Sequence, residues 1–343
     1  MAKKIGLEAV VSYFPDTVVK DTDLKYLEPL IPEPMKGILR FPKEVRRLSH
    51  NDAAEILAEA VSRKTLDKAG LKPDDIDCII ANNCGGKYTV PMVGGYIHWK
   101  LGFTQDTPVF NLSNACASFV DACWMAWNFI LAGTYKRILV ATVSAWDTKG
   151  GQVRYDASDP FSYLMGDGAG AAIVSDENLM CEFLAYHNRT FSEVYDLCGA
   201  DIRCPLNPQV KEAAGQPEMT SYLYGTPEFM EWWQVHGKTF GIDGLRGAME
   251  KAGLTLADID MIFMHQPADM LYTPWMDGAE DAGVAKEKWI HTWDKYGNLS
   301  NAVVPVNLAE YHEAGKLSKG DIQVWITIGA GGHAPTMVAR WLA

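Results

Sequence analysis

The chain contains itself twice. Residues 69–80 read AGLKPDDIDCII and return as AGLTLADIDMIF at 252–263. The pentapeptide NLSNA stands at 111–115 and again at 298–302, and a weaker third pair sets GTYKRILVATVSA from Gly133 against GKLSKGDIQVWITIGAG from Gly315. The three matches keep their order at an offset of about 183 to 187 positions, which implies one ancestral unit duplicated and fused. At 343 residues the chain also exceeds the size at which a single core usually stops growing. Two halves are therefore expected, 1–178 and 179–343, with an insertion near 185–233 that has no counterpart in the first half.

Within each unit a helix ends near an Ala-Gly, an Asp-rich turn follows, and an apolar strand comes next, at 77–81 and at 260–264. Another strand at 137–144 follows the helix that begins around Cys116. Strands alternating with helices predict an α/β fold of mostly parallel sheets covered by helices on both faces. The insertion, rich in Pro, Gly, Tyr and Trp, reads as a cap over a site or interface, or as a packed surface excursion.

A formal charge of −12 argues against nucleic acid or an anionic membrane as the main partner, since both would be repelled. Seven cysteines with no CxxC pair and no metal-type clustering with histidine fit free thiols in a reducing compartment. No metal and no nucleotide cofactor is expected: GDGAG from Gly166 lacks the spacing of a phosphate-binding loop. The amino terminus lacks a signal-peptide pattern and the longest apolar stretch, 122–132, is too short to span a bilayer. A cytoplasmic protein is the expectation.

Cys116 lies in VFNLSNACASFVDACWMAWNFILAG, an apolar strand, a polar turn and an apolar helical run. A cysteine at a helix start gains from the helix dipole and unpaired N–H groups, both of which favour thiolate. Taken alone, it reads equally as buried core, as Cys123 does; Trp124 and Trp127 read as core too.

Its company is more telling. NACAS around Cys116, LMGDGAGAAIV from Leu164, MHQPA from Met264, YGNLSNAVVP from Tyr296 and IGAGGH from Ile328 occur in that order. Over essentially the whole chain these motifs resemble ketoacyl-ACP synthase III of the thiolase superfamily. The resemblance implies a duplicated five-layer α-β-α-β-α fold with two pseudo-twofold related halves. It implies Cys116, His265 and Asn298 as the catalytic set, and backbone N–H groups of Cys116 and Ala330 as an oxyanion hole.

By the same resemblance, Cys116 takes an acyl group from acyl-CoA or an acyl carrier protein. A malonyl-type thioester, its carbonyl held by His265 and Asn298, then loses carbon dioxide, and its carbanion attacks the acyl-cysteine. Transfer of the acyl group to an O, N or C acceptor without decarboxylation is the alternative, and a non-catalytic partner subunit is a third. The family is dimeric, so a homodimer, or a heterodimer with a related subunit, is expected.

Departures from the family bear on the substrate. The closing loop has no second cysteine, as a degradative thiolase would require, and ANNCGGK from Ala81 offers no glutamate base. Places where the family grips CoA fall near Ile31, Met35 and Asp159, which cannot form that grip. Ala268 replaces an asparagine. Val90 replaces a phenylalanine that closes the partner subunit's acyl tunnel, which predicts a longer or wider acyl pocket and a role in specialised, polyketide-like or fatty-acid-like metabolism.

Overall fold

A computed structural model describes residues 3–343 apart from 32, 34–35, 49, 89, 147–162 and 204–219. The repeated sequence is repeated structure. Helices Ala53–Ala69 and Pro227–Lys251 both give way to a left-handed glycine, Gly70 at φ +68° and Gly253 at φ +69°, a conformation open to residues without a Cβ. Each is followed by a short 3₁₀ turn, Pro73–Asp75 or Leu256–Asp258, in which the last aspartate accepts the N–H of Lys72 or Thr255 at 2.7 Å. The chain then enters Cys78–Gly85 or Met261–Met264. Asp75 and its match Asp258 are thus turn caps, whereas Asp77 and its match Asp260 accept backbone N–H groups at or just before the neighbouring strand, from Lys136 and Arg137 and from Ile322.

Five strands in each half pair in one order. From the outer edge inward the first half runs Val109–Asn111, Cys78–Gly85, Ile138–Ala145, Gly168–Ser175, Gly6–Tyr13; the second runs Trp289–Ile290, Met261–Met264, Ile322–Ile326, His333–Trp341, Cys181–Thr190. Ranked along the chain, both read third, second, fourth, fifth, first. The two innermost strands pair antiparallel, Gly6 with Glu182 and Leu7 with Cys181, and join the halves into one ten-stranded sheet.

The expectation of mostly parallel sheets is corrected. In each half two pairings are parallel and two antiparallel. Parallel neighbours need a long crossover, whereas Ile322–Ile326 returns to His333–Trp341 through the short loop 327–332, which only an antiparallel pair can use.

Strand alternation builds the layers. Ile79 and Ala81 face the outer helices Ala53–Ala69 and Val93–Leu101, whereas Cys78 and Ile80 face the central helix Ser118–Leu131. In the second half Ile262 and Met264 face the outer helices Pro227–Lys251 and Asp269–Asp281, and Phe263 faces inward. Ser118–Leu131 and its counterpart Val303–Glu313 form the middle of five layers, α-β-α-β-α. That explains why the helix after Cys116 is apolar nearly all round. Phe119, fully buried and 6.1 Å from the Trp325 ring, touches both halves, and truncating it to alanine should cost about 3–5 kcal/mol.

The segment 185–233 is narrower than its composition suggested. Ala185 lies within Cys181–Thr190 and Trp233 within the helix Pro227–Lys251, leaving 191–226 as the excursion, with a ribbon of Cys198–Arg203 and Thr220–Gly225. The first half has a counterpart at the same point, between first strand and first helix, where Thr17–Lys20 pairs with Glu44–Arg47. The two excursions share topology without sequence. Trp124 also departs from the core reading: it is 39% exposed and stacks on Tyr186 at 4.7 Å.

Candidate active site

The strand Val109–Asn111 leads into a turn whose Ala115 holds φ at +46°, a left-handed value uncommon without glycine. Two side chains of the following helix hold this turn. Ser118 Oγ accepts the Asn114 N–H at 3.0 Å and donates to the Ala115 carbonyl at 2.8 Å. Asp121 accepts the Asn114 Nδ2 amide at 2.7 Å, and its other oxygen accepts Tyr186 Oη from the second half at 2.7 Å. Asp121 is buried, and both its oxygens have donors. Cys116 follows in the 3₁₀ turn Ala115–Ala117, one turn ahead of the helix.

The second copy builds the facing loop the same way. Ser300 has φ +50° and opens the 3₁₀ turn Ser300–Ala302 before Val303–Glu313. Aligning the strained residues Ala115 and Ser300 gives an offset of 185, so Cys116 matches Asn301 and Asn298 matches Ser113. The NLSNA repeat is therefore two residues out of structural register, and Asn298 is not the counterpart of Asn111. The loops nonetheless meet: Cys116 Sγ lies 3.2 Å from Ser300 Oγ. Asn301, the counterpart of the cysteine, donates through Nδ2 to Asn82 Oδ1 on Cys78–Gly85.

Asn298 is set by backbone. Its N–H donates to the Leu164 carbonyl at 2.7 Å and its carbonyl accepts the Gly166 N–H at 2.8 Å. A Cβ on Gly166 would stand 2.0 Å from the Tyr296 carbonyl oxygen, so only glycine lets the strands approach. Asp167 accepts the backbone N–H groups of Leu48 and Trp146 at 2.8 and 2.7 Å. Gly166 and Asp167 thus brace Asn298, while Gly168 makes room for Phe14 and Gly170 for Pro305.

The side chain of Asn298 is oriented too. Its Oδ1 accepts the Ser300 N–H at 2.7 Å and faces His265 Nε2 at 3.2 Å. With the oxygen so occupied, the Nδ2 amide is the end left to donate, and the histidine contact requires a proton on Nε2. His265 follows the strand Met261–Met264, its N–H on the Ile326 carbonyl at 2.9 Å. Its neighbour Gln266, fully buried, donates to the Ile290 carbonyl at 3.2 Å and accepts the Thr292 N–H at 2.9 Å.

Burial decides the electrostatics. His265 is 2% exposed, and desolvation, against the opposing contacts of Asn298 and Ile328, pushes its pKa down to about 4. The imidazole is neutral near pH 7 and can offer a hydrogen bond but no charge. Burial likewise raises the Cys116 thiol, with further upward pressure from the neighbouring thiols Cys84 and Cys198, against the lowering contact of Ser300. The thiolate favoured by a helix start is outweighed by desolvation of the half-buried Cys116, which sits in a 3₁₀ turn between the two halves. Cys123 is fully buried, and burial raises its thiol well above the ordinary value.

The closing loop reaches the nucleophile turn. Gly329 donates to the His333 carbonyl at 2.7 Å, and a Cβ there would lie 2.5 Å from the Asn114 carbonyl oxygen. Ala330 follows, exposed, beside the turn that carries Cys116. The structure thus brings Cys116, Asn298 and His265 into one connected set with Ser300, and sets the Ala330 loop against it. Val90 stands apart, 85% exposed. Ile31 is buried, while Met35 and Asp159 lie outside the described residues. Ser300 was missed by motif reading; its signal was the serine two places after Asn298, in a loop that must face Cys116.

The profile of "3-Oxoacyl-[acyl-carrier-protein (ACP)] synthase III" matches residues 110–190 and that of the same family's C terminal matches 249–341. The beta-ketoacyl-[acyl-carrier-protein] synthase III of Staphylococcus saprophyticus is 26% identical over 98% of this chain and 99% of its own, and that of Bacillus pumilus is 27% identical over 98% of each. Among solved structures, 3-oxoacyl-[acyl-carrier-protein] synthase III from Aquifex aeolicus superposes with a TM-score of 0.79 at 24% identity, covering 98% of this chain and 100% of that one. Xanthomonas campestris OleA with bound lauric acid and lauroyl-CoA gives 0.82 at 17% identity, covering 99% and 100%. With its thiolase-type fold and matches spanning both halves, the chain belongs to the 3-oxoacyl-[acyl-carrier-protein] synthase III family of the thiolase superfamily and is an acyltransferase of the condensing type.

Proposed function

We propose that the protein loads an acyl group from a thioester onto Cys116 and joins it to a malonyl-type thioester by decarboxylative Claisen condensation. The observation that carries this reading is the orientation of Asn298: with Oδ1 held by the Ser300 N–H and by His265 Nε2–H, its Nδ2 is the uncharged donor left over, and Ser300 links the set to the Cys116 thiol. In the first step Cys116 sulfur attacks the thioester carbonyl, the oxyanion takes the N–H groups of Cys116 and Ala330, and the donor thiol leaves with the cysteine's proton. In the second, the malonyl thioester carbonyl takes hydrogen bonds from Asn298 Nδ2 and from His265 Nε2–H, which passes from Asn298 Oδ1 to the substrate. Carbon dioxide departs, the enolate attacks the acyl carbon, and Cys116 sulfur leaves and regains a proton. Neutral donors stabilise the developing enolate without abstracting a proton.

Long-chain acyl-CoA donors suit this reading, since OleA, a structural neighbour, binds lauroyl-CoA and Val90 is small where a phenylalanine would close the tunnel. A grip on the adenine end of CoA would have to differ from the family's: Arg40 is taken up by Asp269 and Asp294. We place Val90 in the acyl pocket of a second copy. Its exposure, that of Trp99 at 70% and the open edge strand Val109–Asn111 with exposed Phe110 support a homodimer through this face. A cytoplasmic setting fits the carriers involved; no helix among the described residues is long and apolar enough to cross a membrane.

The test is intact-mass measurement after incubation with acyl-CoA and acyl-carrier donors, repeated with Cys116→Ala, followed by malonyl donor with carbon dioxide release monitored. A donor-dependent mass gain that Cys116→Ala abolishes, with carbon dioxide release that Asn298→Ala abolishes while acylation survives, is expected. Acylation without malonyl decarboxylation would favour simple acyl transfer, and no acylation would favour a non-catalytic partner.

A further inference from the structure

The site poses a problem that its three candidate catalytic residues leave open. Cys116 must attack as sulfur anion, yet burial and the neighbouring thiols Cys84 and Cys198 all oppose its ionisation. His265 does not fill the gap in the described contacts, because its Nε2 is engaged with Asn298 Oδ1 at 3.2 Å. Asp121 is tied to Asn114 and Tyr186, and His333 lies in the closing loop on the side of Asp121.

Among the described residues, one hydroxyl is recorded against the sulfur. Ser300 Oγ lies 3.2 Å from Cys116 Sγ, and the residue is almost wholly buried at 1% exposure. Its φ of +50° is a strained choice for a serine. The strain turns its N–H onto Asn298 Oδ1, at 2.7 Å, and its side chain onto the sulfur.

The strand Cys78–Gly85 supplies the third participant. Its alternation sends Ile80, Asn82 and Cys84 toward the same interior, where Asn82 meets Asn301 and Cys84 meets the preceding residue, Ser300. Burial pushes the Cys84 thiol up to about 11, so Cys84 keeps its proton near pH 7. The serine's O–H is then left for Cys116.

We propose that Ser300 is a further catalytic residue, whose hydroxyl donates a hydrogen bond to the Cys116 sulfur and stabilises its thiolate during acyl loading. This rests on the reading of Cys116 as the nucleophile. No bond to Ser300 is made or broken: the proton lost by Cys116 leaves with the donor thiol, and the serine keeps its own while the sulfur carries charge. The same residue couples the two steps, since its backbone N–H orients Asn298 for the second while its hydroxyl serves the first.

The test is the pH dependence of Cys116 modification, by acyl-CoA and by iodoacetamide, in the full-length protein and in Ser300→Ala and Ser300→Gly. Glycine accepts φ +50° without strain, so Ser300→Gly removes the hydroxyl while easing the backbone, and it guards against a folding failure of the alanine variant. A hydrogen bond to a charged group accounts for a shift of about one pH unit in the apparent thiol pKa, so both variants should react about tenfold more slowly below that pKa. Ultraviolet thiolate absorbance, followed alongside, should show the apparent Cys116 pKa raised in both variants. Profiles of Ser300→Gly that overlay the native one would overturn the proposal, as would slower reaction with an unshifted thiolate titration, which marks a structural role. If the native protein shows no Cys116-dependent acylation while iodoacetamide profiles still shift, the nucleophile reading fails and the hydrogen bond stands.

Discussion

Gly166→Ala should uncouple the two chemical steps. The added Cβ would lie 2.0 Å from the Tyr296 carbonyl oxygen, where ordinary contact begins at 3.4 Å, so one backbone must retreat by about 1.4 Å. The strand side is anchored by Asp167, which holds the N–H groups of Leu48 and Trp146. Displacement therefore falls on the 296–298 segment and stretches the 2.8 Å bond from Gly166 N–H to the Asn298 carbonyl. Overpacking of this kind costs about 1–3 kcal/mol of stability, and a misplacement near 1 Å of a positioned donor can cost about 100-fold in rate. In the proposed mechanism acyl loading uses Cys116, Ser300 and the Ala330 loop, none of which meets the added Cβ, and decarboxylation uses Asn298. Rapid-quench intact mass should find the loading rate within about threefold of native, while carbon dioxide release from malonyl donor falls about 100-fold. Urea unfolding measured alongside fixes the stability loss. Equal losses in both steps, or native decarboxylation, would refute the brace assigned to Gly166 and Asp167.

Acid should destabilise the fold through His265: the unfolded imidazole takes a proton below its ordinary 6.5 and the folded one refuses it until about 4. Stability present above pH 6.5 is then lost as pH falls through this window, by about 3 kcal/mol, and His265→Gln should flatten that part of a urea-midpoint profile. Tyr186→Phe removes a donor from buried Asp121 and should cost about 1–3 kcal/mol in chemical denaturation. Val90→Phe should shorten the longest acyl chain loaded onto Cys116 without slowing short ones, provided the pocket is shared between subunits; an unchanged chain-length profile would remove Val90 from it.

Much of the fold was legible because the duplication was. AGLKPDDID and AGLTLADID survive as a pair because a left-handed glycine and a turn-capping aspartate have few substitutes. The antiparallel half of each sheet was not legible, since it is set by loop length after Ile326, which composition does not reveal. The topological twin of 191–226 was hidden because ribbons in excursions keep no residue in common. At the site, five motifs in order located Cys116, His265 and Asn298, and the structure gathers them. Pattern could not supply the thiol's raised pKa, which depends on what faces Cys116 from the other half. Nor could it supply Ser300, whose side chain is aimed by an unusual backbone angle. The NLSNA identity pointed to the right loops with the wrong partners, since sequence alignment sees letters and the strained residues Ala115 and Ser300 define the register.

That two-residue slip has a consequence for what the halves can do apart. The counterpart of Cys116 is Asn301, a strut against Asn82, so the second copy offers no thiol at the equivalent place. The protein is in effect two copies of one unit welded into one chain, of which one carries Cys116 and the other His265 and Asn298. Fragments cut in the link between Ser175 and Cys181 would each carry an incomplete chamber, and only their reassociation in one-to-one stoichiometry could restore chemistry.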